Sequence, residues 1–270
     1  MSRDWRPDPG RFAGTVPALA TMGARRGRDS AGRLVVRHAL SASHHGVDGL
    51  LPVSLVSASV DSALVGISTD ALGDGRMCVT TSLSLELIVD DLGAGDVEVA
   101  TTGELVGRHG DAYVSRGECR RWDDDRLIAI GTMWSQAVDV ALYSVADAPP
   151  PQSHTDAGGL HDLLGVEAIE TVDGGARVRA DIALAMVNAA GQTHGLVPPM
   201  LSELAVRAAL PDTVPRLLAL RSDYGRPLPA GPISCTAVVL RRGRTSARLL
   251  TTCAGPDGRP CVEAVVTCAL

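Results

Sequence analysis

The run Asn188-Ala189-Ala190-Gly191-Gln192-Thr193-His194-Gly195, with Glu203 nine residues after His194, gathers the side chains best suited to chemistry in this chain. An apolar stretch over 196–210 follows, and Pro198 and Pro199 fall where the first turn of a helix tolerates a missing N–H. Gly195 is thereby expected at the N-terminus of a buried helix. An unpaired backbone N–H there, helped by the helix dipole, can polarise an acyl carbonyl. The absent side chain lets a ligand come close to that backbone. Glu203 falls about two turns further on. A carboxylate so placed can act as general base on water or as nucleophile, while Asn188 and His194 hold the loop or bond to the substrate. A structural reading competes, because Arg207 is the i+4 neighbour of Glu203 and could simply pair with it.

These residues need a scaffold. The stretch over 196–210 is apolar nearly all round, the pattern of a helix enclosed by a sheet. A short helix is expected over 160–166 and a strand over 178–184 before it. Strands are expected after it over 217–223, 233–240, 246–253 and 261–268, with a Gly-Pro-Asp-Gly turn at 255–258. The first half repeats this order. A strand over 34–38 leads through a loop to an apolar helix over 50–67, and strands follow over 78–89, 97–106, 112–120 and 127–135. The match reaches single residues, since Asp48-Gly49-Leu50-Leu51-Pro52 parallels His194-Gly195-Leu196-Val197-Pro198. Pro149-Pro150-Pro151 and Gly158-Gly159 mark a linker, giving domains over 1–147 and 160–270 joined by 148–159. The first thirty or so residues, rich in Arg, Gly and Pro, read as a loosely ordered extension. A helix hydrophobic on all sides is buried only if its sheet wraps around it, so two such units suggest a pair whose sheets continue into each other.

Composition narrows the function classes. The net charge of −6 gives no broad pull toward nucleic acid or anionic membrane. An aromatic content of 3% offers no platform for stacking bases. All 25 basic residues are Arg, and a few of them around a pocket can still bind phosphate locally. None of the six Cys forms a CxxC pair or stands at zinc-finger spacing from a His, so no metal site is expected and the thiols read as buried small hydrophobes. No apolar stretch reaches the length of a membrane span and the N-terminus has no signal-peptide pattern, which makes cytoplasmic the expected location.

On Asn188, Gly191, His194-Gly195 and Glu203, and on Asp223-Tyr224-Gly225-Arg226-Pro227-Leu228, the sequence resembles the hotdog-fold acyl-CoA thioesterases of the phenylacetate-pathway type. In that family an Asn precedes His-Gly-Gly at the start of the central helix, and a carboxylate follows nine residues after the His. This chain departs from the pattern with Leu196 in place of the second Gly. The resemblance implies an α+β fold of two hotdog domains in tandem, each an antiparallel sheet wrapped around a central helix. It also implies hydrolysis of an acyl-CoA or acyl-carrier thioester, with coenzyme A entering as part of the substrate and no separate cofactor.

The first half lacks the full motif. Ala42 aligns with Asn188, Asp48 with His194 and Ser57 with Glu203, and Asp61 is the nearest carboxylate on that helix. Thr81 falls where some family members place a hydroxyl facing the site. His44 and His45 in the loop read as solvated or, alternatively, as ligands. Sites in the family are composite, the helix start coming from one unit and the carboxylate from the other. The resemblance therefore sets Glu203 against Asp48 and Gly49, and sets Asn188, His194 and Gly195 against Ser57, Asp61 and Thr81. The expectation is one working site containing Glu203, Asp48 and Gly49, and a second that keeps a substrate-binding loop without an obvious base. Arg241, Arg242 and Arg244 are candidates for coenzyme A phosphates or a plain solvated turn. Two other readings stay open: a non-catalytic hotdog protein that binds acyl-CoA or assists assembly, and a hotdog dehydratase, for which no convincing Asp–His pair is found. Self-association of the fused pair as a homodimer is also open.

Overall fold

The computed structural model describes residues 4–8, 16–41, 44–46, 48–72, 75–89, 92–93, 95–140 and 159–270. The expected linker, save Gly159, and Ala42 lie outside them. Two long helices organise the rest: α2 (Val56–Asp70), entered through a 3-10 turn at Val53–Leu55, and α4 (Val197–Ala209). A short one precedes each of them, α1 (Pro17–Thr21) in the first half and α3 (Leu160–Leu163) in the second.

All strands among the described residues join one antiparallel sheet. In chain order they are β1 (Arg6–Pro7), β2 (Ala24–Arg28), β3 (Leu34–Leu40), β4 (Arg76–Leu87), β5 (Val97–His109), β6 (Ala112–Arg121) and β7 (Leu127–Asp139). The second half adds β8 (Val166–Val172), β9 (Gly175–Ile182), β10 (Arg216–Tyr224), β11 (Gly231–Arg242), β12 (Ser246–Ala254) and β13 (Pro260–Ala269). Across the sheet the order is β1-β2-β3-β5-β6-β7-β4-β10-β13-β12-β11-β9-β8. Strands β2–β7 pack on α2, and β8–β13 pack on α4. The halves join where β4 pairs with β10, from Ala219 against Glu86 to Asp223 against Ser82.

Two expectations are corrected. The described residues of the Arg-rich opening are built into the fold: β2 pairs with β3, and α1 packs against the 3-10 turn at Leu184–Met186. Alternation in β2 explains it, since Arg25 points out to Glu98 while Arg26 turns inward. The helix expected over 160–166 stops at Leu163, and β8 follows as an edge strand whose alternate residues are exposed. All six cysteines are free and buried.

The seat of α2 is set by three glycines side by side on β5, β6 and β7, with Gly103 paired to Gly117 and Gly117 to Gly131. A Cβ at Gly131 would stand 2.4 Å from Val60 Cγ1, and one at Gly103 or Gly117 would stand 3.0 Å from Leu64 Cδ2. Their bare backbones let the helix lie close on the sheet. Two buried hydroxyls on α2 are satisfied locally: Ser62 donates to the Ala58 carbonyl at 2.6 Å and Ser59 to that of Val56 at 3.1 Å.

Candidate active site

A cavity of about 290 Å³ opens between the two halves. Its walls include the start of α4, one flank of α2 and the inner side of β4. Asn188, His194, Gly195, Asp61 and Thr81 all border it; Glu203, Asp48, Gly49 and Ser57 do not.

The loop before α4 is held by its own side chains. Asn188 Oδ1 accepts the N–H groups of Ala190 at 2.9 Å and Gln192 at 3.2 Å, so its amide nitrogen is the part left to face a ligand. His194 Nδ1 accepts the Leu196 N–H at 3.2 Å, and the His194 carbonyl accepts the Val197 N–H at 3.0 Å. The proton of the neutral imidazole therefore belongs on Nε2. Pro198 and Pro199 have no N–H to offer. The Gly195 N–H donates to no acceptor among the described residues, and Gly195 itself lines the cavity. The Gly195 carbonyl is fixed by the Tyr224 hydroxyl, which donates to it at 2.7 Å. Burial, with the nearby Asp61 charge, raises the Tyr224 phenol well above its ordinary value and keeps it a donor.

Asp61 reaches this helix start from the other half. A Cβ built on Gly195 would lie 3.4 and 3.5 Å from its two carboxylate oxygens and 3.6 Å from Tyr224 Cε1. Asp61 is only 3% exposed. Its Oδ1 accepts the Thr80 hydroxyl at 2.7 Å, and Oδ2 lies 3.7 Å from His194 Nδ1. Burial raises the Asp61 pKa, opposed by His194 and by the Thr80 hydrogen bond. Burial lowers that of His194, opposed by Asp61. Both groups are thus drawn toward their neutral forms.

Glu203 sits in the mirror position and is closed off. It is 0% exposed, with Oε1 on Arg207 at 2.9 and 3.2 Å and Oε2 accepting the Ser54 N–H at 2.8 Å. Arg207 also binds Asp48 Oδ2 at 2.7 Å. Both oxygens are engaged, and Glu203, Asp48 and Gly49, expected together in the working site, do not border the cavity between the halves. Gly49 is not a helix start: it occupies an exposed turn at φ +73, its N–H donates to Gly46, and helical structure begins only at Val53. Asp48 Oδ1 caps the same turn through the Leu50 N–H at 3.1 Å. Ser57 is buried and donates to the Leu196 carbonyl at 3.4 Å, a link between the helices.

The hydroxyl facing the site is that of Thr80. A bulge in the β4–β7 pairing falls between Thr80 and Ser82, and the Thr81 hydroxyl turns to the Trp134 carbonyl at 3.1 Å. His44 is buried, its Nδ1 accepting the Ser41 N–H at 3.1 Å, and borders no part of the cavity. Arg241, Arg242 and Arg244 lie at the exposed end of the β11–β12 hairpin, also away from it. The arginines that do line it are Arg26 and Arg226. Sequence reasoning missed both, as it missed Thr80; the Tyr224-Gly225-Arg226-Pro227 segment was the available signal for Arg226.

Comparison with known proteins bears on the fold. Curated protein sequences give no match to the chain. Among solved structures, a Thermobifida fusca protein assigned as a thioesterase II superposes with a TM-score of 0.62 at 12% identity, covering 94% of this chain and 99% of that one. A tesB protein from Mycobacterium avium subspecies paratuberculosis gives 0.58 at 14% identity, covering 93% and 97%. The 12:0-ACP thioesterase from Umbellularia californica gives 0.55 at 10% identity, covering 87% and 93%. At such identities the likeness establishes the fold, a hotdog-type thioesterase fold with an antiparallel sheet around a central helix. Residues 183–269, which include Asn188, His194, Gly195 and Tyr224, match the acyl-CoA thioesterase N-terminal domain family.

Proposed function

We propose that the chain hydrolyses acyl thioesters, of coenzyme A or of an acyl carrier, at the cavity between Asp61 and Gly195. The observation that carries this reading is the pairing of an open backbone donor at a helix start with a buried carboxylate beside it. The Gly195 N–H receives the thioester oxygen. Asp61 removes a proton from water as the water oxygen bonds to the carbonyl carbon. Collapse of the tetrahedral intermediate breaks the carbon–sulfur bond, and the proton held by Asp61 passes to the leaving thiolate. Thr80 orients the carboxylate, His194 holds the helix start through the Leu196 N–H, and Tyr224 fixes the Gly195 peptide plane. Asn188 offers its amide to the thioester region.

In this reading the chain is a tandem of two hotdog units, 1–147 and 160–270, joined by 148–159, and one of its two crosswise sites is active. The closed Glu203–Arg207–Asp48 cluster serves structure. Purified protein with a panel of acyl-CoAs and a thiol-detecting dye tests the activity itself. Thiol release on at least one chain length is expected, and none on any thioester would overturn it.

A further inference from the structure

The cavity does not end at Asp61. It continues along α2 past Ser62 and Val65 to Gly66 and Thr69. At 1.5 Å per residue Gly66 lies about 7.5 Å further along the axis, and Thr69 about 12 Å. The walls on this stretch are largely apolar, with Leu19, Met77 and Val79. Of the two arginines that line the cavity, Arg26 from β2 stands beside Gly66 on this stretch.

Arg26 is unusually placed for an arginine. Its side chain is 17% exposed, and its guanidinium makes no hydrogen bond within the described residues. The nearest carboxylate oxygen, Asp70 Oδ1, is 3.6 Å away, while the other oxygen of Asp70 is held by Arg28 at 2.8 Å. Nε of Arg26 is buried with no partner. The seat for this group is made by Gly66: a Cβ there would stand 3.1 Å from Arg26 Nη2, 3.2 Å from Cζ and 2.8 Å from Leu34 Cδ2. A glycine inside a helix costs roughly 1 kcal/mol against alanine, and here its bare face admits a guanidinium beside the cavity.

We infer that Arg26 is an anion subsite, and that this enzyme prefers thioesters whose acyl chain ends in a carboxylate a few methylenes from the thioester. The inference rests on the thioesterase reading above. An apolar channel with the Arg26 guanidinium about two turns from the reacting carbonyl would take the methylenes along its walls and the distal carboxylate at its end. Arginine suits this because its planar fork matches a carboxylate. The same group would bind a phosphate of coenzyme A if the substrate lay the other way round, so the experiment separates the two anions.

The test compares kcat/KM for an ω-carboxyacyl-CoA and an alkyl-CoA of equal length, each also as the N-acetylcysteamine thioester, which has no phosphate. Wild type is expected to favour the carboxylated chain on both carriers. Arg26→Met should lower the ratio of carboxylated to alkyl substrate by about 10- to 100-fold, and Arg26→Lys should keep part of it. Gly66→Ala, which leaves every charge in place, should lower the ratio too. An unchanged ratio in Arg26→Met, or no preference in wild type, would overturn the carboxylate assignment. A loss confined to coenzyme A esters, equal for both chains, would assign Arg26 to phosphate instead. If no thioester is turned over, calorimetric binding of the two coenzyme A esters answers separately: a weaker ω-carboxyacyl-CoA complex in Arg26→Met keeps the subsite while the hydrolase reading fails, and equal binding removes both.

Discussion

Asp61 and Gly195 come from opposite halves of the chain and meet across the cavity, with the Asp61 oxygens 3.4 and 3.5 Å from where a Cβ on Gly195 would lie. The glycine leaves open the space between a free N–H and a carboxylate. Gly195 is not among the glycines with positive φ, and the contacts a methyl would make are ordinary in length. Gly195→Ala should therefore fold, with a thermal midpoint close to that of wild type, while its methyl occupies the reacting space. Turnover is expected to fall by about 10²-fold or more, the scale of losing an oxyanion donor. A folded Gly195→Ala with unchanged turnover would remove Gly195 from the chemistry.

The pH profile should carry the mark of burial. Burial raises the Asp61 pKa above its ordinary value, so the base form is lost as pH falls through that raised pKa. The acid limb of kcat/KM should have its midpoint above the ordinary carboxylate value of about 3.9. The Thr80 hydrogen bond favours the ionised form. Thr80→Val should move the limb to higher pH, and Thr81→Val, whose hydroxyl faces Trp134, should not. Equal shifts from both would show that the bulge does not select between them.

The same shift predicts a conflict between stability and activity. A raised folded pKa means the native state holds its proton more tightly than the unfolded chain. The stabilisation is full below the unfolded value and is lost as pH rises through the folded one; above that, a buried ionised carboxylate is a cost. Asp61→Asn should thus raise the thermal midpoint at pH 7 to 8, with the gain shrinking toward pH 4. A midpoint lowered equally at every pH would contradict this.

The Glu203 cluster should behave in the opposite way. Removing Arg207 strands a fully buried carboxylate, so Arg207→Ala is expected to cost about 3 kcal/mol of stability in denaturant titration. The fraction still folded should retain its turnover per active site. Loss of turnover without loss of stability would return that cluster to the chemistry.

Position of the helix is tested through Gly131. A valine there would drive its Cβ into Val60 Cγ1, now 2.4 Å from that point. Gly131→Val should cost about 1–3 kcal/mol and lower kcat by displacing Asp61, one residue along from Val60. Neutral behaviour in both would mean that α2 is not seated by the three glycines.

Most elements were legible because alternation and helix periodicity reflect burial, and burial here is sharply two-sided. The Arg-rich strand β2 was hidden because both its faces carry arginine, one exposed and one turned to the cavity. The loop residues Asn188, His194 and Gly195, singled out by their spacing, border the cavity. On the reading proposed above the carboxylate is Asp61, which the spacing did not favour because the offset was counted from the loop. Helix α4 starts three residues after His194, while α2 starts eight after Asp48, behind a 3-10 turn. Counted from the helix start, Asp61 is the sixth residue of α2 and Glu203 the seventh of α4, so the two occupy near-equivalent places. What separates them is the neighbour. Arg207 and the Ser54 N–H occupy Glu203, while Asp61 meets a hydroxyl, an imidazole and a cavity. The bulge that turns Thr80 inward depends on strand pairing and leaves no trace in composition.

The central claim is that Asp61 and not Glu203 is the catalytic carboxylate. Thiol release from acyl-CoA by Asp61→Asn and Glu203→Gln, each checked for folding by circular dichroism, addresses it most directly. Turnover by Asp61→Asn should fall by about 10²- to 10⁴-fold, the range supplied by a general base, while Glu203→Gln should stay within a few-fold of wild type. Full activity in Asp61→Asn, or a comparable collapse in a folded Glu203→Gln, would contradict the account.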